Sequence, residues 1–439
     1  MNNNWHVVKL GGTSQCQIGY NNIIRIIHNK KENDKYIFVL SAVSGVTNLL
    51  EKFTNTKDDI YIEQVIEKNK KLIKELNIGD ESTKMFDMIL QIFWRDCKNY
   101  KNSHDDIYFQ SKIIGYGEVL STHILYDYLN FVKLKNIKLL NSYDFIKSKK
   151  ETFKLYPVGE FYGDINIFNK ISDGEFSDVF ITQGFIASSP SKNTILLGRG
   201  GSDTTGAIIA NMLNANEYVV YTDVNGIYTT DPRICEKASI INEIDYNIVQ
   251  ELSAMGAKVM HPSSILPCMV KEIPIKIINS FNDNNRDFTI IKKVDSKTNK
   301  ISAIALQKDV KLIKITSENM WNNYGFVYDI FRRFSERRID VNIISTSQFT
   351  ISTTTEEKNK ILLKDLIQDL EEKYTVELLD NCSIVSIVTN YIPEIYKKLE
   401  LSNIKHHLLS IGATNNSISF VIDEKDSTET IINLHNDII

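Results

Sequence analysis

Cysteine is scarce in this 439-residue chain and poorly arranged for either of its common structural uses. The five thiols, at positions 16, 97, 235, 268 and 382, are odd in number, widely separated and without a CxxC pair. That excludes a disulfide framework and a thiolate zinc site, and it fits a reducing compartment. Proline is also scarce, with seven residues and no Pro-rich linker. No apolar run approaches the roughly 18 residues needed to span a bilayer, so a membrane partner is not expected. The opening Met-Asn-Asn-Asn-Trp-His lacks the charged and apolar regions of a secretory signal, which makes a cytoplasmic location the expectation. A basic excess is missing too: 51 Lys+Arg stand against 55 Asp+Glu. A nucleic-acid binder held mainly by phosphate contacts is therefore excluded. Disorder is excluded by a 42% hydrophobic content and a net charge of only −4. What remains is a folded protein of about two to four domains.

Residues 5–10 read as a strand that stops at Gly11-Gly12, and residues 36–40 as a second strand ending at Ser41. Between them Ile23, Ile26 and Ile27 recur at helical spacing. Strand, helix, strand predicts a parallel sheet covered by helices. Residues 48–135 read as almost wholly helical, and strand-like runs return at 179–181, 194–197, 218–221 and 273–278. The polar run Asn282-Asp283-Asn284-Asn285-Arg286-Asp287 marks a change of character. Beyond it, strands at 310–315, 341–352, 384–388, 408–411 and 418–422 alternate with helices at 326–338, 358–374, 393–401 and 428–435. Residues 345–352 and 412–419 look like one strand–turn–strand written twice. The pattern predicts a large α/β domain followed by two small α+β modules.

Glycines cluster where strands end. Gly11-Gly12-Thr13-Ser14 follows the first strand, and Gly198-Arg199-Gly200-Gly201-Ser202-Asp203 follows residues 194–197. A helix is expected over 204–214, with Ser202 or Asp203 as its cap. Such turns let backbone N–H groups and a helix dipole face an anion, although tight turns in an α/β sheet look the same. Neither is a Walker loop or a dinucleotide fingerprint. Lys9 sits at the end of a strand that should be buried, so it faces either a cleft or solvent. Residues 222–233 (Thr222-Asp223-Val224-Asn225-Gly226-Ile227-Tyr228-Thr229-Thr230-Asp231-Pro232-Arg233) form the densest polar stretch and could hold a nucleotide, or be a polar loop. Gly256-Ala257-Lys258-Val259-Met260-His261-Pro262 brings a second lysine to a turn. His261 reads as a local hydrogen-bonding residue rather than a base.

Together with Ser41-Ala42-Val43-Ser44-Gly45-Val46-Thr47-Asn48 and Gly117-Glu118-Val119-Leu120-Ser121, these motifs follow the order seen in aspartokinases, and the chain resembles that family over nearly its whole length. The resemblance implies an amino-acid-kinase-like parallel-sheet domain over 1–285 and two ferredoxin-like α+β ACT domains. The first would cover 309–380 and the second 381–439, completed by residues near 296–308. The implied activity is transfer of the γ-phosphoryl of MgATP to the side-chain carboxylate of L-aspartate, the first step toward lysine, threonine and methionine. It implies no resident metal cage, Mg2+ entering with ATP, and a homodimer or larger assembly through the ACT domains.

By the same resemblance Lys9, Lys258 and Asp203 are the catalytic residues. Ser41, Thr47, Glu118, Phe185, Arg199 and Ser202 take the amino acid. Gly11, Gly12, Thr13, Thr222, Asp223, Tyr228 and Arg233 take the nucleotide. The first ACT domain resembles a lysine site at Met320, Gly325, Phe326, Asp340, Asn342, Ser345, Thr346 and Ser347, with threonine as the alternative effector. The nucleophile is itself a carboxylate, ionised at neutral pH, so no general base is required.

Overall fold

Parallel strands covered on both faces need near-continuous apolar runs. β1 (Asn4–Leu10) and β2 (Asp34–Leu40) supply them, each burying its last four residues. The computed structural model describes the chain except for residues 1–3, 104–105, 158–159, 173–176, 258–259, 283–286, 295–301, 318–323, 393–394, 396–404 and 413–415. It divides into two units. One comprises Met1–Ile227, Ile240–Tyr246 and Val259–Val294; the other comprises Tyr228–Ser239, Asn247–Lys258 and Asp295–Ile439.

In the first unit the other strands are β3 (Ile137–Leu140), β4 (Ile146–Ser148), β5 (Phe161–Gly163), β6 (Val179–Gln183), β7 (Ile186–Ser188), β8 (Thr194–Leu196), β9 (Glu217–Thr222), β10 (Glu243–Ile244), β11 (Ile275–Asn279) and β12 (Phe288–Ile291). Eight of them form one sheet in the order β10-β12-β11-β9-β1-β2-β6-β3. From β11 to β3 every pairing is parallel, and β12 runs antiparallel to β11. β4, β5, β7 and β8 make a separate small sheet.

α1 (Gln17–His28) is the helix expected between β1 and β2, and α2 (Val46–Thr56), α3 (Asp59–Glu75), α4 (Lys84–Lys101) and α5 (Ile107–Phe131) account for the expected helical stretch. α6 (Ser142–Phe145), α7 (Ile165–Ser172), α8 (Gly201–Leu213) and α10 (Leu266–Val270) follow, while α9 (Tyr246–Ala254) falls in the second unit from Asn247 on. Asp106 caps α5 by accepting from the N–H groups of Tyr108 and Phe109. α5 is buried along most of its 25 residues. It can approach the loop after β2 because position 117 is glycine: a Cβ there would lie 2.8 Å from the Ala42 Cβ. That close approach delivers Glu118 to the site described below.

The second unit is built on two 15-residue strands, β13 (Ser302–Thr316) and β16 (Thr375–Thr389). With β14 (Ile344–Thr346), β15 (Thr350–Thr355), β17 (Leu408–Ile411) and β18 (Ser417–Asp423) they form an antiparallel sheet ordered β14-β15-β13-β16-β18-β17. The short strands expected at 310–315 and 384–388 are thus halves of longer ones. Each long strand bends at mid-length, where Asp309 and Asn381 take positive φ and the pairing register shifts in β13. The expected repeat is visible as two hairpins, β14–β15 and β17–β18, at opposite edges of this sheet.

Three apolar clusters lie among the described residues of this unit, one of them around Val310, Ile343 and Ile384. Another gathers Ile313, Ile330, Phe334 and Leu366 beneath α11 (Phe326–Glu336) and α12 (Lys360–Glu371). The third gathers Ile304, Ile387, Phe420 and Ile431 with α13 (Ser427–Ile438). Segment 228–239 is pinned to α13 and β13: the Thr229 carbonyl accepts from Ile304 N at 2.7 Å, and its hydroxyl bonds His435 Nε2 at 2.9 Å.

Candidate active site

The parallel strands of the first unit all deliver their carboxyl ends to one edge, where the chain turns from each strand into the next connection. Backbone bonds tie these turns together. Gly11 N donates to Tyr221 O, Ser41 N to Leu10 O, Gly184 N to Leu40 O and Ser280 N to Thr222 O, at 2.8–3.1 Å. Gly12, Thr13 and Ser14 form a short 3-10 turn after β1, and the Gly12 carbonyl accepts from Ser44 N at 3.2 Å. Thr13 projects outward and is exposed.

Lys9 is buried, which removes the reading of it as a strand-end surface lysine. Its Nζ stands 2.7 Å from Asp203 Oδ1. The contact is an ion pair without hydrogen-bond alignment, since Oδ1 accepts no bond of good geometry. Asp203 does not cap its helix, and neither does Ser202. α8 begins at Gly201, the cap position is Gly200, and both side chains fall in the first turn. Gly200 has φ +64°, and a Cβ there would lie 2.6 Å from the His261 Cβ, so only glycine turns the chain here. An acidic residue in this first turn also meets the positive end of the helix dipole.

Glu118 is the second buried ionisable group. Its Oε1 accepts from Ala42 N at 3.1 Å, while Oε2 is buried with no partner among the described residues. Burial pushes its carboxyl up to about 8, against the smaller opposing effects of its backbone hydrogen bonds and of the Lys9 charge. Around it, the Ser41 carbonyl accepts from the Ser121 hydroxyl at 2.8 Å, and Thr47 lies in the first turn of α2. Phe185 is buried at φ +67°, its N–H donating to Thr205 Oγ1 at 2.9 Å. Arg199 is exposed, and among the described residues it neither donates a hydrogen bond nor pairs with a carboxylate. Its charge acts on His261, as does that of Asp203, so Arg199, His261, Asp203, Lys9 and Glu118 form one run of neighbours.

His261 caps the short turn Pro262–Ser264 through its ring, and burial together with Arg199 holds its pKa below the usual value. It is a local structural residue, as its sequence context indicated. Thr222 ends β9 and donates to Asp223 Oδ1 at 3.2 Å; Asp223 is exposed. Asn225, in the same loop, accepts from Asn279 Nδ2 at 2.8 Å. Tyr228 and Arg233 belong to the second unit. There Arg233 is exposed and forks onto its neighbour Asp231 at 2.7 and 3.0 Å. Lys258 lies outside the described residues, as does Met320.

Of the remaining effector candidates, Gly325 is the left-handed cap of α11, which opens at Phe326. Asp340 is exposed, and Asn342 donates to Glu356 at 3.3 Å. Ser345 and Thr346 lie on the edge strand β14. The Ser347 hydroxyl is occupied by the hairpin turn, accepting from Thr350 N at 3.1 Å, so it is less open to a ligand than its sequence suggested.

Tyr156 escaped the sequence reading. It lies in the loop between β4 and β5, its phenol donates to the Glu51 carboxylate, and its ring centroid is 6.0 Å from that of Phe185. No motif surrounds it; only folding brings it to this edge.

Residues 4–279 match the amino acid kinase family. The chain belongs to that family. Within it, the lysine-sensitive aspartokinase 3 of Escherichia coli K12 is 31% identical over 271 residues, which cover 59% of this chain and 60% of that protein. The chloroplastic aspartokinase 1 of Arabidopsis thaliana is 26% identical over 457 aligned positions, 98% of this chain and 79% of the plant protein. The chain therefore spans about three-fifths of the first relative's length and about four-fifths of the second's. The crystal structure of E. coli aspartokinase III with lysine and aspartate, a T-state, superposes with a TM-score of 0.81 at 24% identity over 99% of both chains. The same enzyme with aspartate and ADP, an R-state, gives 0.77. These likenesses fix the fold of this family member: a parallel-sheet amino-acid-kinase domain followed by an antiparallel α+β part, the class expected from its sequence.

Proposed function

We propose that this protein is an aspartate kinase, moving the γ-phosphoryl of ATP to the side-chain carboxylate of L-aspartate at the start of aspartate-family biosynthesis. One observation carries the reading: Glu118, a buried acid with an oxygen unpartnered among the described residues, shares an edge with the exposed guanidinium of Arg199, unpaired among those residues, and with a buried lysine, Lys9. An α-amino acid with a second carboxylate matches that set. Its ammonium suits Glu118 Oε2, and its α-carboxylate suits the planar fork of Arg199. The side-chain carboxylate would then lie toward Lys9, assisted by Ser41, Thr47, Phe185 and Ser202.

The nucleophile arrives ionised, so catalysis consists of holding two anions together and neutralising charge as the phosphoryl group moves. Lys9 and Lys258 are the proposed cations, and Asp203 fixes Lys9. Gly11, Gly12, Thr13, Thr222 and Asp223 are the proposed nucleotide contacts, with Tyr228 and Arg233 added by family resemblance. No group of three acidic, histidine or cysteine side chains gathers as a metal cage among the described residues. Mg2+ is proposed to enter on the ATP phosphates, with the exposed carboxylate of Asp223 after β9 available to meet it. When bound, the ion would neutralise phosphate oxygens.

The proposed domains are a kinase domain over 1–285, a first ACT domain over 309–380 and a second over 381–439 completed by residues near 296–308. Copies would pair through them, a reading supported by the exposed Tyr328, Ile344 and Phe349 of the first. Lysine is the proposed inhibitor, taken by Met320, Gly325, Phe326, Asp340, Asn342, Ser345, Thr346 and Ser347. The reading draws on the lysine sensitivity named for the E. coli relative. The deciding assay measures ADP release with aspartate, glutamate, acetylglutamate or UMP as acceptor, and traps the acyl phosphate with hydroxylamine. Aspartate alone should support turnover and give a hydroxamate. Adding lysine should suppress it; inhibition by threonine alone would leave the kinase reading intact and remove lysine.

A further inference from the structure

Both ends of an amino acid are matched by Glu118 and Arg199, but neither residue touches what lies between them, the α-carbon. Tyr156 lies beside the turn that carries Arg199 and beside Phe185. Its loop is fastened at several points: Lys149 N donates to Glu160 O at 3.0 Å, and the Tyr108 hydroxyl donates to Thr152 O at 2.9 Å. The Tyr156 phenol donates to Glu51, which lies one helical turn beyond Thr47 on the same face of α2. Its ring lies against Phe185. A Cβ on Gly198, the residue before Arg199, would meet the Tyr156 Cβ at 3.8 Å. The Glu118 charge reaches the phenol, which burial and Glu51 hold well above its usual pKa. Tyr156 thus packs against Phe185 and against the residue before the proposed carboxylate donor.

We propose that Tyr156 determines specificity at the α-carbon: its ring, fixed by Glu51 and Phe185, is the wall that admits a hydrogen there and excludes a larger substituent. The inference rests on the aspartate kinase reading and adds a residue to it. An aromatic ring suits the role because it is broad and has only two side-chain torsions to lose.

The test compares kcat/KM for L-aspartate and α-methyl-aspartate in the full chain and in Tyr156→Ala. The extra methyl keeps every charge of the substrate and changes only bulk. Removing the wall should shift the ratio toward α-methyl-aspartate by about tenfold or more, the scale on which one methyl is discriminated in a close pocket. A purely structural role for Tyr156 would lower both values together and leave the ratio unmoved, which overturns the proposal. Tyr156→Leu keeps apolar cover but is shorter; it should move the ratio in the same direction and decides the matter if Tyr156→Ala does not fold. Wild-type protein inert toward aspartate would instead overturn the functional reading, a result distinguishable from an active enzyme with an unmoved ratio.

Discussion

The amino and carboxyl ends of the large sheet both carry charge, and they use it in opposite ways. At the amino end His6 lies between Glu217, 3.1 Å away, and Asp34, 3.7 Å away, with its ring stacked on Tyr36 at 4.8 Å. Lys30 pairs with Asp178 at 3.1 Å close by. Each of these cations has an anion. At the carboxyl end the matching is incomplete among the described residues: Lys9 holds Asp203, Glu118 keeps an unpartnered oxygen, and Arg199 has no carboxylate. A buried polar atom without a partner costs about 1–3 kcal/mol, more for a charge. That contrast is the ground for proposing that a ligand completes the carboxyl end of the sheet.

The largest expected break in this contrast is Lys9→Ala. Its contribution grows as the phosphoryl group moves, so kcat should fall about 10²–10³-fold while the aspartate KM stays within a few-fold. Steady-state kinetics reads this directly, and a near-normal kcat would make Lys9 a structural residue like those at the other end.

Arg199→Ala comes next. The aspartate KM should rise about 30-fold or more, toward the lower part of the range for a lost charged partner because Arg199 is exposed. Thermal stability without ligand should stay within about 0.5 kcal/mol, since no interaction within the described protein is lost. A destabilised variant with normal aspartate KM would reverse the assignment.

Glu118→Gln sharpens the comparison through stability. The carboxyl, raised to about 8 from an ordinary 4.5, keeps its proton in the folded protein at pH values where the unfolded chain has lost it. Folded stability therefore declines as pH rises from about 4.5 toward 8, by roughly 2–4 kcal/mol. In urea titrations Glu118→Gln should remove that slope.

The smallest effect belongs to the amino end and has the opposite sign of origin. The His6 pKa is raised above 6.5, chiefly by its hydrogen bond to Glu217. Its stabilisation is full below the unfolded value and is lost as pH rises through the folded one. His6→Gln should cost about 1 kcal/mol or less at pH 6 and progressively less at higher pH, with aspartate kinetics unchanged.

The parallel sheet, its helical cover and the glycine turns were legible in sequence because apolar runs and strand-end glycines report local geometry. The long β13 and β16 were not, because residues 302–307 carry no strand alternation clear enough to join them to 310–316 across the bend at Asp309. Lys9 could be placed at a strand end but not assigned to cleft or surface; its burial depends on Asp203, some 190 residues away in the chain. Glu118 was visible only as part of a motif, and its unpartnered oxygen arises from the packing that Gly117 permits. Tyr156 had no local signal at all. The proposed capping role of Ser202 and Asp203 failed because a left-handed Gly200 caps the helix and starts it at Gly201, three residues before the expected start at 204.

The central claim is that Glu118 receives the substrate's ammonium group, and proton release on binding tests it most directly. At neutral pH the free protein holds Glu118 protonated, its carboxyl titrating near 8. Accepting an ammonium stabilises the carboxylate, so L-aspartate binding should expel about one proton. Calorimetric titrations of the full chain at pH 7, in buffers of different ionisation enthalpy, measure that number. Release of about one proton by the wild type and none by Glu118→Gln is the predicted result; tight aspartate binding with no proton released by the wild type would contradict it.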